Sequence, residues 1–369
     1  MSGTRGRLVI LGGDGIGPEV MRETRRVIDW FTSERGVAFD VAEAPFGLAA
    51  YDRFGTLMPD DTMAAIMAAD AILFGARGGP GYEAIPPEEV KAGGLLHLRR
   101  TLDVFANLRP LFAIPALAAA SSLRDRVLEG VDLVIVRELT GGIYFGEPRG
   151  IERLPDGSRR GVNTHVYTSE EIRRVARVAF ALAKSRRGAL CSVDKSNVME
   201  SGVLWREEVS AIGAEEFPEI AVSHMLVDNC AMQLVRAPAQ FDVILTDNMF
   251  GDILSDCGAV IMGSLGMLPS ASLGSPDAAG RRRALYEPVH GSAPDIAGKG
   301  IANPLGAILS FAMALRLSFS LAVEAAQLEA AVGRALAGGA RTADIMHEGG
   351  RLVSTNGMTA EVLAALADA

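Results

Sequence analysis

The sequence predicts an α/β fold with a largely parallel sheet. Short apolar runs such as Leu8–Leu11, Ala71–Phe74 and Val131–Val136 are separated by longer stretches of helical periodicity. The first run passes at once into Gly12-Gly-Asp-Gly-Ile-Gly17 and Pro18, the composition of a sharp turn from strand into helix. A hydrophobic share of 49% over 369 residues, with no repeat, low-complexity tract or flexible linker, suffices for two lobes or one large α/β unit.

Taken in order, residues 7–11 read as a buried strand and Glu19–Phe31 as a helix opened by Pro18. A second strand–helix unit spans 37–43 and 60–69, and 71–74 is another short strand. Val131–Val136 and Phe241–Thr246 read as interior strands, and Ala189–Asp194 as an alternating one. Thr168-Ser-Glu-Glu171 has the form of a capping box, its helix running to about Lys184. From about 304 to 337 the chain is rich in Ala and Leu at helical spacing. Pro18 stands where a Gly-x-Gly-x-x-Gly dinucleotide fingerprint needs its third glycine. The glycine loop is therefore read as a tight turn, and any nucleotide is expected to bind in a non-Rossmann manner.

Composition narrows the function. The net charge is −9 and the basic residues are scattered, which argues against a nucleic-acid surface. No apolar run approaches the length of a membrane span, and Leu8–Leu11 is too short for a signal peptide. Cys191, Cys230 and Cys257 form neither a disulfide framework nor a zinc signature. A soluble, cytoplasmic globular protein is expected.

The most informative segment is Phe250-Gly-Asp-Ile-Leu-Ser-Asp256. Its acids, Asp252 and Asp256, share one face of a helix and are flanked by Ile253, Leu254, Cys257, Val260 and Ile261. No Lys or Arg occurs from Ala237 to Gly280, so the pair lacks a nearby cation in the sequence. An isolated acid pair is commonly a solvated helix face, but apolar flanks make it costly unless something neutralises it. Oxygen-only ligands suit Mg²⁺ or Mn²⁺. Arg99, Arg109 and Arg137 lie in apolar surroundings, and their guanidinium forks suit a substrate with more than one carboxylate. Each alone could instead pair with a structural acid, Arg137 in the neighbourhood of Glu138. Tyr144 is framed by glycines, and Lys195 ends a buried strand, where it could be desolvated for acid–base work.

These residues sit in long motifs: Gly13-Asp-Gly-Ile-Gly-Pro-Glu19, Leu95-Leu-His-Leu-Arg99, Phe105-Ala-Asn-Leu-Arg-Pro110, Val136 to Gly150, Ser192-Val-Asp-Lys-Ser-Asn197, Phe250 to Asp256 and Glu287 to Pro304. Together they resemble the isocitrate/isopropylmalate dehydrogenase family of β-decarboxylating dehydrogenases over nearly the whole chain. The resemblance implies that family's own α/β fold, two lobes around a large mixed sheet. Residues 1–104 and 263–369 would form the cofactor-binding lobe, and 105–262 a middle lobe with the dimer interface and metal aspartates. It implies a homodimer in which Lys195 and Asp228 reach the partner's site, while Asp252 and Asp256 serve their own. Asp228, Asp252 and Asp256 would hold Mg²⁺ or Mn²⁺. Arg99, Arg109 and Arg137, with Asp228, would bind substrate, and Leu95 and Leu96 would meet an apolar substituent.

Lys195 and Tyr144 would be the catalytic acid–base residues by the same resemblance. Glu287, His290, Gly291, Ser292, Ala293, Asp295 and Asn303 would bind the cofactor. A carboxylate at 295 accepts from ribose hydroxyls and repels a 2′-phosphate, which implies NAD. The implied reaction is NAD-dependent oxidative decarboxylation of 3-isopropylmalate in leucine biosynthesis. Four positions depart from the family pattern: Gly81 for a lysine, Tyr82 for a tryptophan, Ala92 for a glutamate and Leu226 for a tyrosine. They keep another 3-alkylmalate, D-malate or tartrate open as substrate. A non-catalytic subunit of the same fold is disfavoured, because Tyr144, Lys195, Asp228, Asp252 and Asp256 are all present.

Overall fold

A computed structural model describes residues 6–368. Its sheet strands are β1 (Arg7–Gly13), β2 (Asp40–Ala44), β3 (Ala71–Ala76), β4 (Ala106–Phe112), β5 (Asp132–Glu138), β6 (Ala189–Asp194), β7 (Ala221–Leu226), β8 (Val243–Thr246), β9 (Pro269–Pro276) and β10 (Arg282–Pro288). They fall into two compact units. One comprises Met1–Val104, Ala113–Arg124 and Ala259–Ala369, the other Phe105–Phe112 and Asp125–Gly258.

In the first unit the strand order is β2-β1-β3-β10-β9. β1 pairs in parallel with β2 and β3, β3 in parallel with β10, and β10 antiparallel with β9. β3 is buried along its whole length, as an apolar run without alternation requires when both faces are covered. Helix Gly17–Arg35 starts with Pro18 in its first turn and lays Val20, Val27, Ile28 and Phe31 into the core. The Ala- and Leu-rich stretch is two helices, Leu305–Leu317 and Ala322–Ala337, broken at 318–321. The first of them is buried nearly all round, which explains why its sequence carries little amphipathic contrast.

In the second unit the order is β4-β5-β8-β6-β7. β4 and β5 are antiparallel, and the β5/β8, β8/β6 and β6/β7 pairs are parallel. Helices Ser169–Lys184 and Glu200–Glu216 pack on each other, while helix Asn248–Gly258 lies against β4, β5 and helix Val227–Arg236. This arrangement sets the residues of β4 and β5 beside the acids of helix Asn248–Gly258.

The sheet is largely parallel, as expected, and antiparallel pairing at β4, β9 and β10 makes it mixed, as the resemblance implies. Their Pro, Ser, Asn and Arg content hides them from a search for apolar runs. β6 is buried at five consecutive positions rather than alternating, since it lies between β8 and β7. Helices Leu48–Phe54 and Pro87–Ala92 were not anticipated. Residues 113–124, read as middle lobe, belong to the first unit. There Pro115–Ala120 packs on helix Ala322–Ala337, and Arg341 donates to the Ala116 carbonyl at 2.5 Å. Residues 259–262 also belong there, and Ser121 Oγ donates to the Val260 carbonyl at 2.5 Å. No helix of the described residues is long and apolar enough to cross a membrane.

The capping box at Thr168 is formed: the Glu171 amide donates to Thr168 Oγ1 at 3.3 Å, and the Thr168 amide to Glu171 Oε2 at 2.8 Å. Thr168→Ala should lower unfolding free energy by about 1 kcal/mol, read as an earlier urea midpoint with an unchanged slope.

Candidate active site

Asp252 and Asp256 do share a face of helix Asn248–Gly258. The Asp247 carboxylate accepts the Phe250 amide at 2.8 Å, covering one of the open N–H groups of the first turn. Gly251 has a plain steric task. A Cβ there would stand 2.6 Å from Cβ and Cγ of Arg137, so its absence lets β5 approach the helix.

The acids have no cation near them in the sequence, but the fold brings two arginines to them. Arg137 Nη1 hydrogen-bonds Asp252 Oδ1, and Arg109 Nη2 lies 3.5 Å from the same oxygen. Arg109 Nη1 lies 3.7 Å from Asp256 Oδ1. Both arginines are almost fully buried, whereas the Asp256 side chain is 59% exposed and Asp252 half-buried. Arg109 comes from β4 and Arg137 from β5, more than a hundred positions from the acids in sequence. Arg137 does not pair with Glu138. Neighbours on a strand face opposite ways, and Glu138 accepts instead from Tyr167 Oη and the amides of Thr140 and Gly141.

Tyr144 completes this cluster. Its hydroxyl donates to Asp252 Oδ2 at 3.0 Å, and the Arg137 guanidinium lies 5.7 Å from its ring centre. Burial, then the Asp252 charge, pushes the phenol up against the opposing pull of Arg137 and Arg109, so it stays protonated. Burial and the neighbouring Asp252 also push Asp256 up, with Arg109 pulling it down.

Lys195 follows β6, and its ammonium donates to Asp228 Oδ1 at 2.5 Å. That bond holds the Asp228 carboxyl below its ordinary range. Among the described residues no three His, Cys, Asp or Glu side chains gather as a metal-holding group, so Asp228 does not join Asp252 and Asp256 within one chain.

In the first unit, Arg99 on helix Leu95–Thr101 is buried and donates to Glu287 Oε1 at 2.7 Å. Two residues assigned separate tasks from the sequence thus form one ion pair. Leu95 is half-buried and Leu96 is 42% exposed. The loop after β10 carries His290, Gly291, Ser292, Ala293 and Asp295, of which Gly291 and Asp295 are exposed. Gly15, at φ +57°, meets this loop so closely that a Cβ would stand 2.0 Å from the Ser292 carbonyl. His290 Nδ1 donates to the Gly291 carbonyl at 2.9 Å, leaving Nε2 as a buried acceptor without a partner in the described chain. Asn303 is buried, its amide donating to Asp344 at 3.0 Å and its carbonyl accepting the Leu305 amide.

The family model for isocitrate/isopropylmalate dehydrogenase matches residues 7–362. The chain belongs to the isocitrate/isopropylmalate dehydrogenase family. It is 61% identical to a 3-isopropylmalate dehydrogenase of Rhodospirillum rubrum over 98% of both chains. A protein of the same name from Cereibacter sphaeroides is also 61% identical, over 97% of this chain and 98% of its own. Among solved structures, an isocitrate dehydrogenase from Methylococcus capsulatus superposes with a TM-score of 0.82 at 32% identity. It covers 98% of this chain and 99% of its own. A β-decarboxylating dehydrogenase from Thermococcus kodakarensis gives 0.77 at 35% identity, over 98% and 96%.

Sequence reasoning missed Asp14, although it lies in a motif of the family. The glycine loop is the tight turn expected, and buried Asp14 within it accepts from the Leu48 amide at 2.7 Å, the Gly78 amide at 2.9 Å and Tyr82 Oη at 2.7 Å. Tyr82, one of the departures from the family pattern, is thereby tied to the turn. Burial and the Asp14 carboxylate push its phenol up to about 12. An acid between glycines carries no outward sign of such partners. Asn107 and Asn248, which hold the two arginines, were missed for the same reason.

Burial lowers the His290 pKa below its ordinary value of about 6.5. The unfolded chain then binds this proton first, so the contribution to stability is complete above pH ~6.5 and is lost as pH falls through the folded value. Urea midpoints at pH 7.5 and 5.5 should show a smaller acid-side decline for His290→Asn than for the wild type.

Proposed function

We propose that the chain catalyses the NAD-dependent, divalent-metal-dependent oxidative decarboxylation of 3-isopropylmalate to 4-methyl-2-oxopentanoate, the leucine-biosynthesis reaction. The observation that carries the reading is the cluster of Arg109, Arg137, Tyr144, Asp252 and Asp256, set inside a chain 61% identical to proteins of that name. The donor set fits Mg²⁺ or Mn²⁺: two carboxylates on one helix face, the outer one well exposed, with no soft ligand in the cluster. The His290 Nε2 acceptor, buried and without a partner, fits the amino group of an adenine. Gly291, Ser292, Ala293, Asp295 and Asn303 are assigned to the same cofactor.

A bound Mg²⁺ or Mn²⁺, held by Asp252 and Asp256 with the partner's Asp228, would supply Lewis acidity at the C2 oxygen, and bound NAD⁺ would supply the acceptor for the C2 hydride. The side chains supply the rest. Arg109 and Arg137 grip substrate carboxylate so that the C3–carboxylate bond stays aligned. Arg99 is assigned to a substrate carboxylate, and Leu95 and Leu96 to the isopropyl group. Lys195 takes the hydroxyl proton. The C3 carboxylate then departs as CO₂, and Tyr144, held protonated, delivers its proton to C3.

Lys195 and Asp228 are assigned to the site of a second copy. Their separation from the acid pair supports this, as do the exposed apolar side chains Val198, Met232, Val235 and Ile253 of the same unit. A homodimer follows, with Asp228 as a third metal and substrate ligand supplied by the partner.

Assays of NADH formation with 3-isopropylmalate, D-malate, tartrate and isocitrate should give 3-isopropylmalate the highest kcat/KM. The lead should be about a hundredfold, equivalent to ~2.7 kcal/mol. Chelation should abolish turnover, and Mg²⁺ or Mn²⁺ should restore it. A higher kcat/KM with NADP⁺ would falsify the cofactor assignment; a lead for tartrate or D-malate would point to the departures at Tyr82 and Ala92.

Shared sites make a second prediction. Lys195→Ala and Asp252→Asn should each be inactive, yet unfolding and refolding the two together should regain roughly a quarter of wild-type activity, because each mixed dimer keeps one intact site. No recovery, with mixed dimers demonstrated, would place Lys195 in its own subunit's site.

A further inference from the structure

Both arginines of the acid cluster are held from behind by neutral amides. Arg109 Nε donates to Asn107 Oδ1 at 2.8 Å, and Arg109 Nη1 to Ser255 Oγ at 2.5 Å. Arg137 Nε and Nη2 both donate to Asn248 Oδ1, at 3.0 and 2.8 Å. Each asparagine is 1% exposed. Asn248 is itself fixed, its Nδ2 donating to the Gly141 carbonyl at 3.1 Å and its backbone amide to Tyr167 Oη at 3.0 Å. Arg99, by contrast, is held by the carboxylate of Glu287.

The difference matters because a buried guanidinium must have its donors satisfied, and a carboxylate would ordinarily do so best. An amide oxygen fixes the fork equally well in geometry but leaves the positive charge in place. We propose that Asn107 and Asn248 are positioning residues that orient Arg109 and Arg137 without neutralising them, reserving their charge for the Asp252/Asp256 cluster and an anionic substrate. The inference rests on the assignment of these arginines to substrate carboxylates.

The test uses full-length Asn107→Asp and Asn248→Asp. Each exchange keeps an acceptor at the same place and adds the negative charge that the amide withholds. The expected result is a KM for 3-isopropylmalate raised roughly tenfold or more, with kcat within about threefold and a KM less sensitive to ionic strength than the wild type's. Asn107→Ala and Asn248→Ala, which lose the acceptor but add no charge, should raise KM less. A merely structural asparagine predicts the reverse order, with Ala more damaging than Asp in both KM and thermal midpoint. That order, or folded Asp variants with wild-type KM, overturns the proposal. Should an Asp variant fail to fold, the Ala variants decide, and KM within twofold of wild type overturns the positioning role. Inactive wild type with 3-isopropylmalate overturns the functional reading and this inference with it. Active wild type with an unchanged KM in the Asp variants overturns this inference alone.

Discussion

Two buried guanidinium groups facing two aspartates on one helix face are the constraint around which the second unit is arranged. The arginines would be costly without the acids, since an unpaired buried charge is among the most destabilising features a fold can carry. Arg109 and Arg137 stand on adjacent antiparallel strands, paired as Arg109 with Ile135 and Asn107 with Arg137. Gly251 admits the helix to them, and Asp247 covers one of its first-turn amides. Strand pairing, glycine and helix cap thus all serve the same charge contact. Formally the two arginines balance the two aspartates, so a divalent cation in the proposed site would leave the cluster net positive, the condition that attracts a dicarboxylate.

The first unit shows the same economy around one acid. Asp14, buried in the turn between β1 and its helix, gathers two backbone amides and the Tyr82 hydroxyl. Arg77 lies over the Tyr82 ring at 5.0 Å from its centre. The glycines around Asp14 permit the close backbone approach, but the carboxylate ties the segment Gly78–Tyr82 to the turn. This gives the family departure at Tyr82 a physical setting, because its hydroxyl has a partner where an indole would present different chemistry.

Much of the fold was legible in the chain. Capping chemistry and apolar periodicity marked helix Ser169–Lys184 and strands β1, β3, β5 and β8. What escaped was polar or interrupted. β4 carries Asn107, Arg109 and Pro110, and β9 carries three serines, prolines and a glycine, so neither reads as a buried strand until its antiparallel neighbour is known. The acid pair was legible because i and i+4 share a face by local geometry alone. Arg109 and Arg137 stood out as candidate substrate ligands, but their direct contact with the two acids was not legible, because it joins two strands to a helix more than a hundred positions away.

By itself, then, the sequence determined the order of elements, the common face of Asp252 and Asp256, and the family motifs from Gly13 to Pro304. Only the tertiary structure decided what each charged group meets. Arg137 and Asp252 lie 115 positions apart, and Arg99 and Glu287 lie 188 apart. Periodicity and capping are properties of a few neighbouring residues and leave their mark locally. Which acid an arginine meets, and whether a carboxylate or a neutral amide stands behind it, depends on strand order and helix packing, which no local pattern records.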